Sequence, residues 1–306
     1  MERSLGMLTT EMANPATSEI DRMSSLEIVQ AINDEDAKVA LAVQQVLPEI
    51  ARAVEAIAER MRRGGRLIYV GAGTSGRLGA LDASECPPTF NISSESVVAC
   101  IAGGPIAFGL AHEDLEDSAE AGQADVAKLH LTEADIVVGI TASGRTPYAR
   151  GALAYARQQG ALTIGLACNA DAPIAEEAAI MIALQVGPEV IAGSTRMKAG
   201  TAQKMILNML STGAMILLGK TFGNLMIDVQ TSNYKLRRRA LSITRQVTGL
   251  DEGAAEEMLE RAGGETKTAI LMALANLSPD EARQQLAAHG QMLRTALDAL
   301  SSRTPL

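Results

Sequence analysis

The sequence has no tryptophan, only three phenylalanines and four tyrosines. Single-stranded nucleic acid is held on aromatic platforms, so this poverty argues against such a partner. Positive charge is also scarce. The formal net charge is −9, whereas phosphate-backbone affinity rests on clustered Lys and Arg. Three cysteines (Cys86, Cys100, Cys168) and three histidines (His112, His130, His289) are scattered without CxxC, HxxxH or HExxH spacing. That pattern gives no structural zinc site, and the sparse cysteine use fits a reducing compartment. No basic stretch followed by an apolar one opens the sequence, so a secretory signal is not expected. The longest nearly apolar run, 97–111, is interrupted by Gly103, Gly104 and Pro105 and falls short of the ~18 residues a spanning helix needs. The expectation is a cytoplasmic protein with no nucleic-acid or membrane partner and no bound metal.

What is present is an alternation. With 306 residues and 47% hydrophobic content, the chain can form roughly two domains with substantial cores. Apolar positions from Val39 to Met61 recur at three- and four-residue steps and predict a helix over 35–63. Asn33 and Asp34 are candidate caps, Pro48 a kink and Gly64-Gly65 the stop. Five short apolar runs follow at 67–70, 97–102, 135–141, 161–167 and 179–184, each leading into a loop of small residues and then a helix. Continuous apolar strands alternating with helices predict an α/β fold: a parallel sheet flanked by helices, with its ligand at the strands' carboxyl ends. After about residue 240 only helical patterns remain, at 251–262, 265–276 and 279–300. The expected organisation is an N-terminal helical segment (1–56), a sheet domain (57–220) and a small C-terminal helical domain (240–306). Lys235, Arg237, Arg238 and Arg239 read as a solvated helix face.

Three loops carry the chemistry of phosphate binding. Gly71-Ala-Gly-Thr-Ser-Gly76 formally matches a dinucleotide fingerprint, yet the second strand ends in Ile101-Ala-Gly-Gly104 without the carboxylate that a ribose requires. Gly73, Thr74 and Ser75 instead suit a terminal phosphate held by backbone N–H groups and hydroxyls at a helix start. Ser143-Gly144-Arg145-Thr146 repeats that chemistry, and Ser194 and Thr195, with Lys198 and Lys204 beyond, add hydroxyls and positive charge. Three such loops at equivalent positions favour a sugar phosphate over a dinucleotide.

Two carboxylates are candidates for acid–base work. Cys86 precedes a proline, so the helix before it should end near Glu85. There the negative end of the helix dipole, with partial burial, favours the protonated acid; an ordinary exposed helix-end Glu is the alternative. In the acidic stretch of an expected helix over 105–126, Phe108, Ala111, Leu115, Ala119, Gly122 and Val126 define the apolar face. At 100° per residue, Glu116 falls about 80° from that face, while Glu113, Asp114, Asp117 and Glu120 fall at about 120–180°. Glu116 is the acid best placed to enter a cleft, in a run that is otherwise a solvated face. Cys86 has no histidine nearby and reads as inert, and His112 reads as a core or rim residue.

The stretches Gly71–Phe90, containing Asp82-Ala-Ser-Glu-Cys-Pro-Pro-Thr89, and Ser194-Thr-Arg-Met-Lys-Ala-Gly-Thr-Ala-Gln-Lys204 closely resemble the N-acetylmuramic acid 6-phosphate etherase family. Glu116-Asp-Ser118, Val137–Tyr148, Ser18–Asp21, Ile32–Asp36 and Gly223–Val229 extend the resemblance over most of residues 15–230. The glycine loops alone indicate only the wider sugar isomerase (SIS) fold. The resemblance implies a SIS-type three-layer sandwich with a parallel sheet, a homodimer, and a cofactor-free lyase. The implied reaction releases D-lactate from the sugar phosphate to leave N-acetylglucosamine 6-phosphate, in cell-wall amino-sugar recycling. It implies Glu85 as the acid and Glu116 as the second catalytic glutamate, with Ser84 and the three loops at the substrate. A sugar-phosphate isomerase and a non-catalytic sugar-phosphate sensor on the same fold are the alternatives.

Overall fold

The computed structural model describes residues 8–108, 113–229 and 234–302; His112 lies outside them, as do the side chains of Phe108 and Glu113. The chain divides into two compact units, one of residues up to Ser84 with Ser94–Ser211, the other of Glu85–Ser93 with Thr212 onward. In the first unit, β1 (Leu67–Gly71), β2 (Val97–Ile101), β3 (Ile136–Thr141), β4 (Leu162–Ala167) and β5 (Ile180–Ala183) form one parallel sheet in the order β2-β1-β3-β4-β5. Each strand corresponds to one of the apolar runs. β1 and β3 are buried at every residue, because helices cover both faces and leave no polar side to alternate with. β1 pairs with β2 from Leu67↔Val97 to Gly71↔Ile101, and with β3 from Leu67↔Ile136 to Gly71↔Ile140. The chain therefore reverses its direction of winding between β1 and β3, and that switch point is where an open parallel sheet offers a crevice.

One face of the sheet, including Ile68, Val70 and Val137, packs on α6 (Ala119–Ala127) and α7 (Pro147–Gln158) through Val126, Ala149, Ala152, Leu153 and Ala156. These two helices approach closely enough to require glycine: a Cβ on Gly122 would lie 1.9 Å from the Tyr148 carbonyl oxygen, and one on Gly151 would lie 2.1 Å from that of Ala119. On the opposite face Tyr69 packs beneath Gly79 of α4 (Gly73–Phe90), and its hydroxyl donates to Asp82. The buried Asp82 carboxylate also accepts from Asn208 and Ser211 of α8 (Lys198–Leu217), which fixes the middle of α4 against β1 and α8.

Several expected helix limits are corrected. The helix expected over 35–63 resolves into α1 (Ser25–Asp36), α2 (Val39–Gln44) and α3 (Leu47–Arg62). Asn33 and Asp34 lie inside α1, whose start is a reciprocal capping box between Ser24 and Glu27. Pro48 lies in the first turn of α3, where its missing N–H has no intrahelical partner to lose, so it opens a helix instead of kinking one. The segment expected as one helix over 105–126 contains a 3₁₀ turn (Gly104–Phe108), α5 (Glu113–Glu116) and α6, with Ser118 capping α6 by accepting from Ala121 N. α4 does not end at Glu85 but continues through Pro87 and Pro88, and the Thr89 hydroxyl donates to the Glu85 carbonyl.

In the second unit, a short hairpin of β6 (Thr221–Phe222) and β7 (Leu225–Met226) precedes α9 (Tyr234–Thr248), α10 (Glu252–Arg261), α11 (Thr266–Ala275), α12 (Pro279–Ala288) and α13 (Leu293–Ser301). Ile227, Ile243, Ala269, Ile270, Leu271, Leu286 and Leu293 belong to its core. The last expected helix, 279–300, divides at Gly290 and Gln291, both in the left-handed region. Lys235, Arg237, Arg238 and Arg239 are exposed on α9, as a solvated face requires. Among the described residues no helix is long and apolar enough to cross a membrane.

Candidate functional site

The turn after β1 is built from backbone. Gly73, at the first position of α4, takes φ +53, which favours glycine, and a Cβ on Gly76 would lie 2.5 Å from the Gly71 carbonyl oxygen. The first N–H groups of α4 have no intrahelical acceptor and point out of the helix start. Ser75 is buried and donates to Gln203 Oε1 of α8 at 3.0 Å. The γ-methyl of half-buried Thr74 lies 3.5 Å from where a Cβ on Gly200 would stand, so the starts of α4 and α8 meet. Glu116 reaches the same turn: its Oε2 lies 4.0 Å from the position of a Cβ on Gly73. Asp114, Asp117 and Glu120 are exposed, whereas Glu116 is half-buried.

The turn after β3 is ordered by a hydroxyl that sequence reasoning passed over. Thr141, buried at the last position of β3, accepts from Gly144 N at 3.2 Å and shares hydrogen bonds with Thr146 Oγ1 (2.8 Å) and Ser143 Oγ (3.3 Å). Ser143 Oγ in turn accepts from Arg145 N at 3.1 Å. Thr141 adds a fourth hydroxyl-bearing or glycine residue to Ser143, Gly144 and Thr146 at a strand end, and its signals in the sequence were that position and its place in the stretch Val137–Tyr148. The β1–β3 register places this turn and the Gly71–Gly76 turn at neighbouring carboxyl ends, on either side of the switch point.

The third loop differs from its reading in the sequence. The start of α8 is already occupied by a protein carboxylate: Glu189 accepts from Lys198 N and Ala199 N, both at 2.9 Å. Glu189 is fully buried, and that burial pushes its carboxyl above the ordinary range against the opposing pull of the two N–H groups and Lys198. The Lys198 side chain, expected at the substrate, is 1% exposed and forms an ion pair with Glu35 at 2.5 Å. Lys38 reaches the other oxygen of Glu35. Lys198 is therefore withdrawn from solvent into a buried charge cluster. Ser194 and Thr195 are half-buried and their loop returns to α8 through Gly200 N to Thr195 O at 2.9 Å, while Lys204 is exposed. Glu189 carried no sequence signal and Glu35 only its place in the stretch Ile32–Asp36; they lie 9 and 163 residues from their partner.

Ser84 is exposed and its hydroxyl donates back to Leu81 O at 2.8 Å. Glu85 belongs to the second unit and is exposed. The expected helix end and partial burial at Glu85 are both absent in the chain taken singly, because α4 runs on to Phe90. Cys86 is buried. Among the described residues no group of three or more His, Cys, Asp or Glu could hold a metal ion.

A family model described as the glucokinase regulatory protein N-terminal SIS domain matches residues 49–157, and one described as the SIS domain matches 115–213. Among solved structures, a phosphoheptose isomerase from Francisella tularensis aligns with TM-score 0.49 and 19% identity over 63% of this chain and 100% of that one. Two curated relatives extend over nearly the whole length. The protein named N-acetylmuramic acid 6-phosphate etherase from Serratia proteamaculans (strain 568) is 54% identical over 96% of this chain and 99% of its own. The protein of the same name from Salmonella agona (strain SL483) is 52% identical over 96% of this chain and 99% of its own. With that identity over 96% of its length, the chain belongs to the N-acetylmuramic acid 6-phosphate etherase family.

Proposed function

We propose that the protein is a carbon–oxygen lyase that cleaves the lactyl ether of N-acetylmuramic acid 6-phosphate, giving N-acetylglucosamine 6-phosphate and D-lactate. The observation that carries this reading is the Glu116 carboxylate beside the glycine turn of α4, in a chain more than half identical to relatives bearing the etherase name. The phosphate is held at the switch point by Gly73, Thr74 and Ser75 on one side and by Ser143, Gly144, Arg145 and Thr146 on the other. Opening the sugar ring makes C1 an aldehyde, so the C2 proton becomes acidic and the ether oxygen at C3 lies β to the carbonyl. Glu116 takes the C2 proton, the C2–C3 double bond forms, and the C3–O bond breaks as Glu85 protonates the departing lactate oxygen. Water then adds at C3 and a proton returns to C2, so the net reaction is hydrolysis of the ether and consumes no oxidant or cofactor. Each positioned acid or base contributes on the order of 10²–10⁴ in rate. Anchoring the phosphate fixes C2 and C3 relative to these groups.

Exposure of Glu85 in the single chain suits a site completed by a second copy, and the protein acts as a cytoplasmic homodimer in recycling cell-wall amino sugars. Incubation with N-acetylmuramic acid 6-phosphate and assay of free lactate tests the proposal. Interconversion of aldose and ketose phosphates without lactate would point to an isomerase, and saturable binding without turnover to a sensor.

A further inference from the structure

We infer that the segment 8–17 is a strap that positions the phosphate loops through Thr10 and Asn169, an inference that rests on the sugar-phosphate reading above. Asn169 stands just beyond β4 and is 3% exposed; Thr10 is fully buried. Asn169 Oδ1 accepts from both Thr9 N and Thr9 Oγ1 at 3.0 Å. Its Nδ2 donates to Thr10 Oγ1 at 3.2 Å and to Ala142 O at 2.9 Å. All four hydrogen-bonding positions of the carboxamide are thereby used, which leaves this side chain a single satisfied geometry. Ala142 immediately precedes Ser143, so one end of the network sets the β3 turn.

The other end sets the loop before α8. Thr10 O accepts from Gly193 N at 3.1 Å, directly ahead of Ser194 and Thr195. Thr17 Oγ1 donates to Val190 O at 2.8 Å, and Asn14 Nδ2 to Pro188 O at 3.4 Å. A single short segment thus holds two loops that emerge from β3 and β5, strands that are not neighbours in the sheet. Asn169 and Thr10 are positioning residues: their polar atoms are spent on the protein, and their effect on a ligand passes through Ser143 and the 193–195 turn.

The test uses the full chain carrying Thr10→Val or Asn169→Asp. The first removes one buried acceptor at nearly constant volume. The second retains the oxygen that Thr9 meets but loses both donors. For each, four quantities are measured: the Kd for N-acetylglucosamine 6-phosphate, the inhibition constant of inorganic phosphate, and kcat and KM for lactate release. The expected result for Asn169→Asp is a rise of about tenfold in Kd, KM and the phosphate constant, with kcat within about threefold of wild type. Thr10→Val should shift the same three constants in the same direction. Folded variants whose three constants match wild type would overturn the inference. So would a loss of activity that merely tracks the unfolded fraction at unchanged KM. If Asn169→Asp fails to fold, Thr10→Val decides. If the wild type binds the product sugar phosphate but releases no lactate, the lyase reading fails, and the Kd for that sugar phosphate still judges the strap.

Discussion

Lys198 offers a sharp experiment, because a substrate-binding lysine and a buried structural lysine respond differently to the same substitution. Lys198→Met keeps the aliphatic stem, and the backbone N–H on which Glu189 rests is untouched. It removes one of two cations from Glu35, whose side chain is 5% exposed, and leaves Lys38, itself 60% exposed. Removing one member of a buried ion pair costs about 3–5 kcal/mol, because the remaining charge stays desolvated. With Lys38 retained, the loss should fall near the lower end, about 3 kcal/mol, or roughly 6–12 °C in Tm. Adding Glu35→Gln should recover more than half of the loss, since no uncompensated charge then remains. The pH dependence carries a defined sign. Burial pushes the Glu35 carboxyl up, but the hydrogen bonds from Lys198 and Lys38 outweigh it and hold the group below its ordinary value of 4.5. A depressed folded-state pKa stabilises the fold above the unfolded value, and that contribution is lost as pH falls through the folded one. The gap in stability between wild type and Lys198→Met should therefore be full at pH 7 and close progressively below about pH 4.5. Thermal unfolding across pH, alongside steady-state lactate release, reads both outcomes. A Lys198→Met protein that melts with wild type but shows a KM raised many-fold would refute the buried-pair reasoning and return Lys198 to the substrate.

Glu116→Gln should suppress both C2 hydrogen exchange in deuterated water and lactate release by about 10²–10⁴, while exposed Asp117→Asn leaves both nearly intact; mass spectrometry of the product checks this. Glu85→Gln should retain the Kd for N-acetylglucosamine 6-phosphate and lose most lactate release, measured by calorimetry and a coupled lactate assay. Gly122→Ala should lower the urea midpoint by the equivalent of at least about 2 kcal/mol, because its methyl would lie 1.9 Å from the Tyr148 carbonyl oxygen. Burial pushes the Cys168 thiol up to about 12 and that of Cys100 up to about 11, with Glu189 and Asp125 respectively adding to the shift, so iodoacetamide at pH 8 should label neither until the protein unfolds.

The strands were legible because each is a short apolar run, made continuous at β1 and β3 by burial on both faces, and each run stands where the sheet has a strand. Helix limits were less legible because tertiary contacts decide them. Pro48 reads equally as a breaker or as a first-turn residue, and only the end of α2 at Gln44 distinguishes the two. The pre-proline rule at Cys86 gives way to the packing of α4, which is fixed one turn earlier by Tyr69, Asn208 and Ser211 around Asp82. The wheel that singled out Glu116 counted from Phe108 along a helix that breaks at Asp117 and Ser118. Glu116 is nevertheless half-buried, owing to its reach to the Gly73 turn and not to a phase accumulated over several turns. Glu189 and Asn169 were invisible, and Glu35 stood out only within the stretch Ile32–Asp36, since each acts on a residue or loop that no local pattern connects to it.

These features account for how an acidic chain can be built to receive a phosphate. A net charge of −9 gives no long-range attraction for an anion, and the one lysine at the head of α8 is turned inward to Glu35. The helix start that could have supplied a second set of N–H donors is filled by Glu189. In the phosphate site proposed above, the donors beside the Arg145 guanidinium are neutral: the first N–H groups of α4 and the hydroxyls ordered around Thr141. Neutral donors act over hydrogen-bond distances and depend on geometry, whereas a lysine tolerates displacement because its charge acts at longer range. A site of this kind needs its loops held rigidly. The polar atoms of Asn169, Thr10 and Thr141 are committed to backbone and neighbouring hydroxyls in a way that supplies that rigidity.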